Sequence, residues 1–210
     1  MPDIHFELVI DPVEEARVKK MLSSIPNGAR RALSGAINKT LEHGRTLLKK
    51  TITEELNISQ KAALRALRLH RSTPQVLAGS INVSHDEVPM GEYHPVQTRQ
   101  GVRVSVRKGG GSQLIRGAFI ATMPLRGSQQ REGHQGVFKR KPGAGLQMVK
   151  GKRKALVQKR PALPIRELYG PTAIGVLANN PSRIESIQTE LQGSLSKNIE
   201  SQIDRLKAGR

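Results

Sequence analysis

Ile184, Ile187, Leu191, Leu195, Ile199, Ile203 and Leu206 recur every three or four residues near the carboxy-terminal end, with Ser, Gln, Glu and Lys between them. Only a helix gathers residues at that spacing onto one line. The stripe is narrow, so the helix must lay one face against something: it docks on a sheet or pairs with a neighbour's helix. Its start is written in Asn180-Pro181, with Asn180 as N-cap and Pro181 at the first helical position, where a missing N–H costs nothing. Ile184, Ile187, Leu191, Leu195, Ile199 and Ile203 are the expected packing or oligomer residues.

A second stripe runs through residues 29–56: Ala29, Leu33, Ala36, Ile37, Leu41, Gly44, Leu47, Leu48, Ile52 and Leu56. Much of it is small, so a helix or sheet can approach closely. Before it, residues 3–10 alternate as a short strand. Asp11-Pro12-Val13-Glu14 then reads as a capped helix start for residues 12–23, which Pro26-Asn27-Gly28 ends. Ser59 reads as the cap of a third helix over 60–70. Beyond Pro74 the period changes. Residues 76–84, 102–107 and 114–123 read as strands of one antiparallel sheet, with a turn at Gly109-Gly110-Gly111-Ser112.

The expected class is therefore α+β: long amino-terminal helices, a central, mostly antiparallel sheet with a long basic loop insertion, and a carboxy-terminal amphipathic helix. The segments are an extension (1–24), helices (25–72), sheet core (73–124), basic arm (125–162) and a return segment with the last helix (163–210), all within one domain. In the arm, Val137-Phe138-Lys139 is expected to pair with Leu156-Val157-Gln158 as a hairpin. Only five aromatic residues occur, so the core rests on aliphatic side chains, and an assembly subunit fits better than a self-contained enzyme.

The charge is local. Residues 97–168 hold 17 Lys/Arg and two acids, which is +15 of the chain's +18. A field of one sign over so long a stretch calls for nucleic acid or another polyanion, or an acidic protein surface, where an ordinary solvated surface mixes signs. Within it, Arg126, Arg131, Lys139, Arg140, Lys141, Lys150, Lys152, Arg153, Lys154, Lys159 and Arg160 are the expected contact residues. Phe119 and Phe138 are the only aromatics there, which argues against base stacking, and no helix carries an Arg/Asn-rich reading face. Sequence-independent contact with backbone phosphates remains.

Chemistry is sparse. There are no cysteines, so disulfides and thiolate zinc sites are excluded. The six histidines are scattered without metal-ligand spacing, and His85-Asp86-Glu87 reads as a solvated turn. The Gly109–Ser112 turn has no lysine at phosphate-loop spacing, and no nucleophile elbow occurs. No catalytic residue, cofactor or metal is expected. No secretory leader is read at Met1-Pro2-Asp3-Ile4-His5, and no run is apolar enough to span a membrane.

Three stretches carry a resemblance: Ser34-Gly35-Ala36-Ile37-Asn38-Lys39-Thr40 in the long helix, Gly117-Ala118-Phe119-Ile120 in the strand block, and Leu163-Pro164-Ile165-Arg166-Glu167-Leu168-Tyr169-Gly170-Pro171 before the last helix. Their order, with a basic insertion between the last two, resembles the minor tail protein Z family of lambda-like tailed bacteriophages and prophages, and the wider group of tail-completion and neck proteins. The resemblance implies a structural virion protein, assembled in the bacterial host cytoplasm. It would act at the head-proximal end of the tail in head–tail joining and in placing the genome end. It implies a homo-oligomeric ring, sixfold to match the tail, meeting tail terminator, tube or connector proteins and making sequence-independent contact with genomic double-stranded DNA, with no membrane partner. It supplies no catalytic residues. The composition also fits a basic RNA-associated protein of ribosomal type, although such proteins spread their cations over most elements.

Overall fold

The computed structural model describes residues 4–123, 133–141, 147–150, 156–159 and 165–209. The chain is α+β, with several small antiparallel sheets in place of one central sheet. Its elements divide into two compact units, the first formed by residues 1–55, 60–86 and 172–210, the second by 56–59 and 87–171.

The first unit begins with β1 (His5–Val9) and α1 (Pro12–Met21). Asp11 caps α1 as its sequence demands: its Oδ1 accepts the Val13 N–H at 2.9 Å. The long helix α2 (Gly28–Glu55) follows, then α3 (Gln60–Arg65), β2 (Leu67–His70) and β3 (Ala78–Val83). The expected third helix thus stops at Arg65. Leu67 and Leu69 alternate with the outward Arg68 and His70, a period of two, and Leu67 and Leu69 lie opposite Val83 and Ile81 in a ladder. The sheet order is β1-β3-β2, antiparallel throughout. The unit closes with α4 (Ala173–Ala178) and α5 (Pro181–Lys207).

Helix α2 is the spine of this unit. Leu33, Ala36, Ile37, Leu41, Leu48 and Ile52 are fully buried. Its small positions do what small positions permit: a Cβ on Gly44 would stand 2.8 Å from Leu191 Cδ2 of α5 and 3.0 Å from Ile81 Cδ1 of β3. The helix is therefore wedged between α5 and the sheet at that glycine. The α5 stripe docks on α2 of the same chain, with Ile187, Leu191, Ile199 and Ile203 buried and Ile184 and Leu195 half-buried. It needs neither the sheet nor a neighbour's helix, because α2 offers a matching stripe of small residues. The two helices run antiparallel: Glu54 meets Arg183 at 2.8 Å, His43 meets Glu190 at 3.1 Å, and the Asn198 amide donates to Thr40 Oγ1 at 3.0 Å.

The second unit holds β4 (Glu87–Pro89), a short 3-10 turn (Met90–Tyr93), β5 (Val96–Thr98), β6 (Gly101–Val104), β7 (Gln113–Arg116), β8 (Ala118–Met123), β9 (His134–Arg140), β10 (Gln147–Lys150), β11 (Leu156–Lys159), β12 (Ile165–Glu167) and β13 (Tyr169–Thr172). They pair as β5-β6-β7, β12-β9-β8, β10-β11 and β13-β4. The expected strand over 114–123 is two strands. Gly117 has φ of +71°, a left-handed conformation that L side chains adopt at a cost, and it breaks the run so that β7 joins β6 and β8 joins β9. Residues 76–84 and 102–107 consequently fall in different sheets, and 114–123 is divided between the sheet of β6 and a third.

The expected hairpin between 137–139 and 156–158 is also corrected. Both edges of β9 are occupied, Phe138 lying opposite Phe119 of β8 on one side and Glu167 of β12 on the other. Leu156–Lys159 pairs instead with its sequence neighbour β10, Val157 opposite Val149. The core of this unit includes Val102, Val104, Val137, Phe138 and the fully buried Tyr93, whose Oη donates to the Pro171 carbonyl at 3.2 Å. The Tyr93 ring lies on Gly170, where a Cβ would come within 2.6 Å of it.

Candidate polyanion interface

Charge divides along the same line as the fold. The second unit carries 17 Lys/Arg against four acids, the first 18 against 13. In the first unit seven of the cations are answered by ion pairs. Arg17 meets Glu14 and Glu200, Lys19 meets Glu15, Arg71 and Arg45 share Glu42, Lys50 and Arg183 share Glu54, and Arg68 meets Asp86. These are exposed pairs of small individual worth, but they balance the local field.

The second unit shows the opposite arrangement. Among the described residues, none of Arg99, Arg103, Arg107, Lys108, Arg116, Lys139, Arg140, Lys141 and Arg166 forms an ion pair. All are exposed except the half-buried Lys139. The nearby acid Glu167 is committed elsewhere: its Oε1 lies 2.5 Å from His134 Nε2 and its Oε2 accepts from Tyr169 Oη at 3.1 Å. Burial, with that contact second, pushes the Tyr169 phenol above its ordinary range.

The strands set these cations out in order. In β6, Val102 and Val104 are buried while Arg103 points outward. Arg103 lies opposite Val96 and Leu114, and Arg116 lies opposite Gly101, so Arg103 and Arg116 are diagonal neighbours on one face. In the other sheet Lys139 lies directly opposite Arg166. Arg140 projects its guanidinium over the Phe119 ring, 6.0 Å from the centroid, while the Phe119 and Phe138 centroids are 6.3 Å apart. Arg140 is thus held by a cation–π contact on one face of that ring.

Of the contact residues expected from sequence, Lys139 and Arg140 end β9 and Lys141 follows it, while Lys150 and Lys159 are the last residues of β10 and β11. Arg126, Arg131, Lys152, Arg153, Lys154 and Arg160 lie outside the described residues. Residues 151–155, which join β10 to β11 in sequence, contain Lys152, Arg153 and Lys154. To the contacts expected in the arm the fold adds Arg103, Arg116 and Arg166 on strands and Arg99, Arg107 and Lys108 in the segments between strands. The strict Val102-Arg103-Val104-Ser105-Val106-Arg107 alternation held the signal, since it puts arginines on an outward face whenever the valines go inward.

Other motifs resolve into local structure. Asp86 accepts from Ser84 Oγ at 2.6 Å in the turn after β3. Gly109, at φ +73°, forms the turn after Arg107. Among the described residues no three His, Asp or Glu side chains gather as a metal site, and no helix is long and apolar enough to cross a membrane. Family models, curated proteins and solved structures yield no match to this chain.

Proposed function

We propose that the chain is a structural virion protein of a tailed phage: a tail-completion or neck subunit at the head-proximal end of the tail. The observation that supports it most is the division of charge: Arg99, Arg103, Arg107, Lys108, Arg116, Lys139, Arg140, Lys141 and Arg166 form no ion pair among the described residues, while seven cations of the first unit do. A surface built this way attracts an external polyanion or acidic ring. In this reading the first unit is the ring-building scaffold. The second presents the basic arm to the genome end or to an acidic face of a neighbouring tail protein.

The resembling stretches also sit at joints of the fold. Ser34 and Asn38 hold the loop after β2, Thr40 receives α5, Gly117 separates two strands, and Gly170 seats Tyr93. Neutralising Lys150, Lys152, Arg153 and Lys154 together in an infecting phage tests the role. Tails that join heads but leave the genome end misplaced support contact with DNA, and failure of joining supports docking on an acidic ring. Normal particles, or particles lacking the chain, overturn the reading.

A further inference from the structure

In sequence, the β10–β11 hairpin lies between the end of β9 and the start of β12. At that root, Lys139, Arg140 and Lys141 close one strand and Arg166 opens the other, with Lys139 facing Arg166 across the ladder. On the far side of β9, Lys139 lies opposite Ala118, the first residue of β8, and Arg116 precedes it by two residues. Four cations, Lys139, Arg140, Lys141 and Arg166, therefore gather at one end of the β12-β9-β8 sheet, and Arg116 ends β7 of the other sheet. Like charges placed directly opposite destabilise a strand pair, and among the described residues none of these cations has a carboxylate to relieve it.

We infer that this hairpin root is a rigid site for the phosphate backbone of duplex nucleic acid, independent of base sequence. It deepens the polyanion half of the reading above and does not depend on the chain's place in a virion. Two observations favour nucleic acid over an acidic protein. Protein interfaces centre on apolar anchors, whereas nucleic-acid interfaces are polar and strongly positive. The large exposed apolar side chains described in this unit are Val96 and Tyr169, and neither belongs to the cluster. Duplex DNA offers one charge per about 1.7 Å of axis, so cations on adjacent strands each find a phosphate. One face of Phe119, an aromatic surface of the kind single-strand binding exploits, is taken by Arg140.

The test is the salt dependence of binding of the full chain to a random-sequence duplex, followed by fluorescence anisotropy. Replacing Lys139→Gln, Lys141→Gln and Arg166→Gln together is expected to reduce the slope of log affinity against log salt by about 2–3, at about 0.9 per lost phosphate contact. The charge-keeping set Lys139→Arg, Lys141→Arg, Arg166→Lys should restore the slope. Lys197→Gln with Lys207→Gln, exposed on α5, should leave it unchanged. If the triple variant folds poorly, Lys141→Gln alone, just beyond the strand, should remove about 0.9. An unchanged slope in the neutral variants overturns the inference. So does polyglutamate that displaces the duplex at equal charge concentration, which would assign the site to an acidic protein. A chain that binds duplex as expected yet is missing from particles would overturn the virion reading alone.

Discussion

Asn38 grips both backbone groups of Ser72: its Nδ2 donates to the Ser72 carbonyl at 2.9 Å, and its Oδ1 accepts the Ser72 N–H at 2.9 Å. Ser34 Oγ donates to the same carbonyl at 3.1 Å, and Ser72 Oγ donates to the Val76 carbonyl at 2.9 Å. Helix α2 thereby fixes the connection between β2 and β3. Asn38→Asp keeps the acceptor but turns an anion toward a carbonyl oxygen. A loss of about 1–3 kcal/mol in denaturant unfolding is expected, and a variant as stable as the parent would show that the grip contributes nothing.

Two glycines in long helices should respond in opposite directions. Gly44→Ala drives a methyl into Leu191 and Ile81, and overpacking of this kind costs about 1–3 kcal/mol. Gly193 on α5 has nothing within 4 Å of its Cβ position. Gly193→Ala should stabilise by about 0.5–1 kcal/mol through helix propensity alone. Thermal midpoints of the pair, read side by side, check the packing of α2 between α5 and the sheet.

The α5 stripe is graded by burial. Leu191 is 2% exposed, while Leu195, one turn later, is half-buried. Leu191→Ala should cost about 2–5 kcal/mol and Leu195→Ala distinctly less. Equal losses would contradict the described seating of α5 on α2.

Alkaline titration reports on the second unit. Burial pushes the Tyr93 phenol up to about 12 from 10.0, and Tyr169 is also raised, by burial and by its bond to Glu167. A raised folded-state value means the unfolded chain releases its proton first. The stabilising contribution of Tyr93 is therefore complete below pH 10 and is lost as pH rises toward about 12. Absorbance at the phenolate band should rise late in the native chain and near pH 10 in denaturant. In Tyr169→Phe the remaining native transition should be the later one.

Much of this was legible in the residues. The periods of α2 and α5, the Asp11 cap and the outward Arg103 of β6 follow from spacing and turn chemistry. Other features were not, because each depends on a partner distant in sequence. The 114–123 run reads as a single strand until Gly117 is seen to send its halves to different neighbours. Val137–Lys139 has the alternation to accept any strand, and β12 and β8 take both its edges. Leu67–His70 continues a helical pattern in sequence, yet Val83 and Ile81 draw it into the sheet. Asn180 stands at the start of α5 as its sequence suggests, but its amide donates to the Val176 carbonyl at 3.4 Å and makes no cap. For the interface, the excess of charge was readable, while the pairing of cations in one unit and their isolation in the other required the fold.

Hydrogen exchange of the full chain, alone and with a random-sequence duplex, tests the division of labour between the units most directly. Protection is expected at the ends of β9 and β12 and in the neighbouring strands of the second unit, with α2 and α5 exchanging as they do without DNA. Protection along α2 and α5, or none anywhere at low salt, would contradict it.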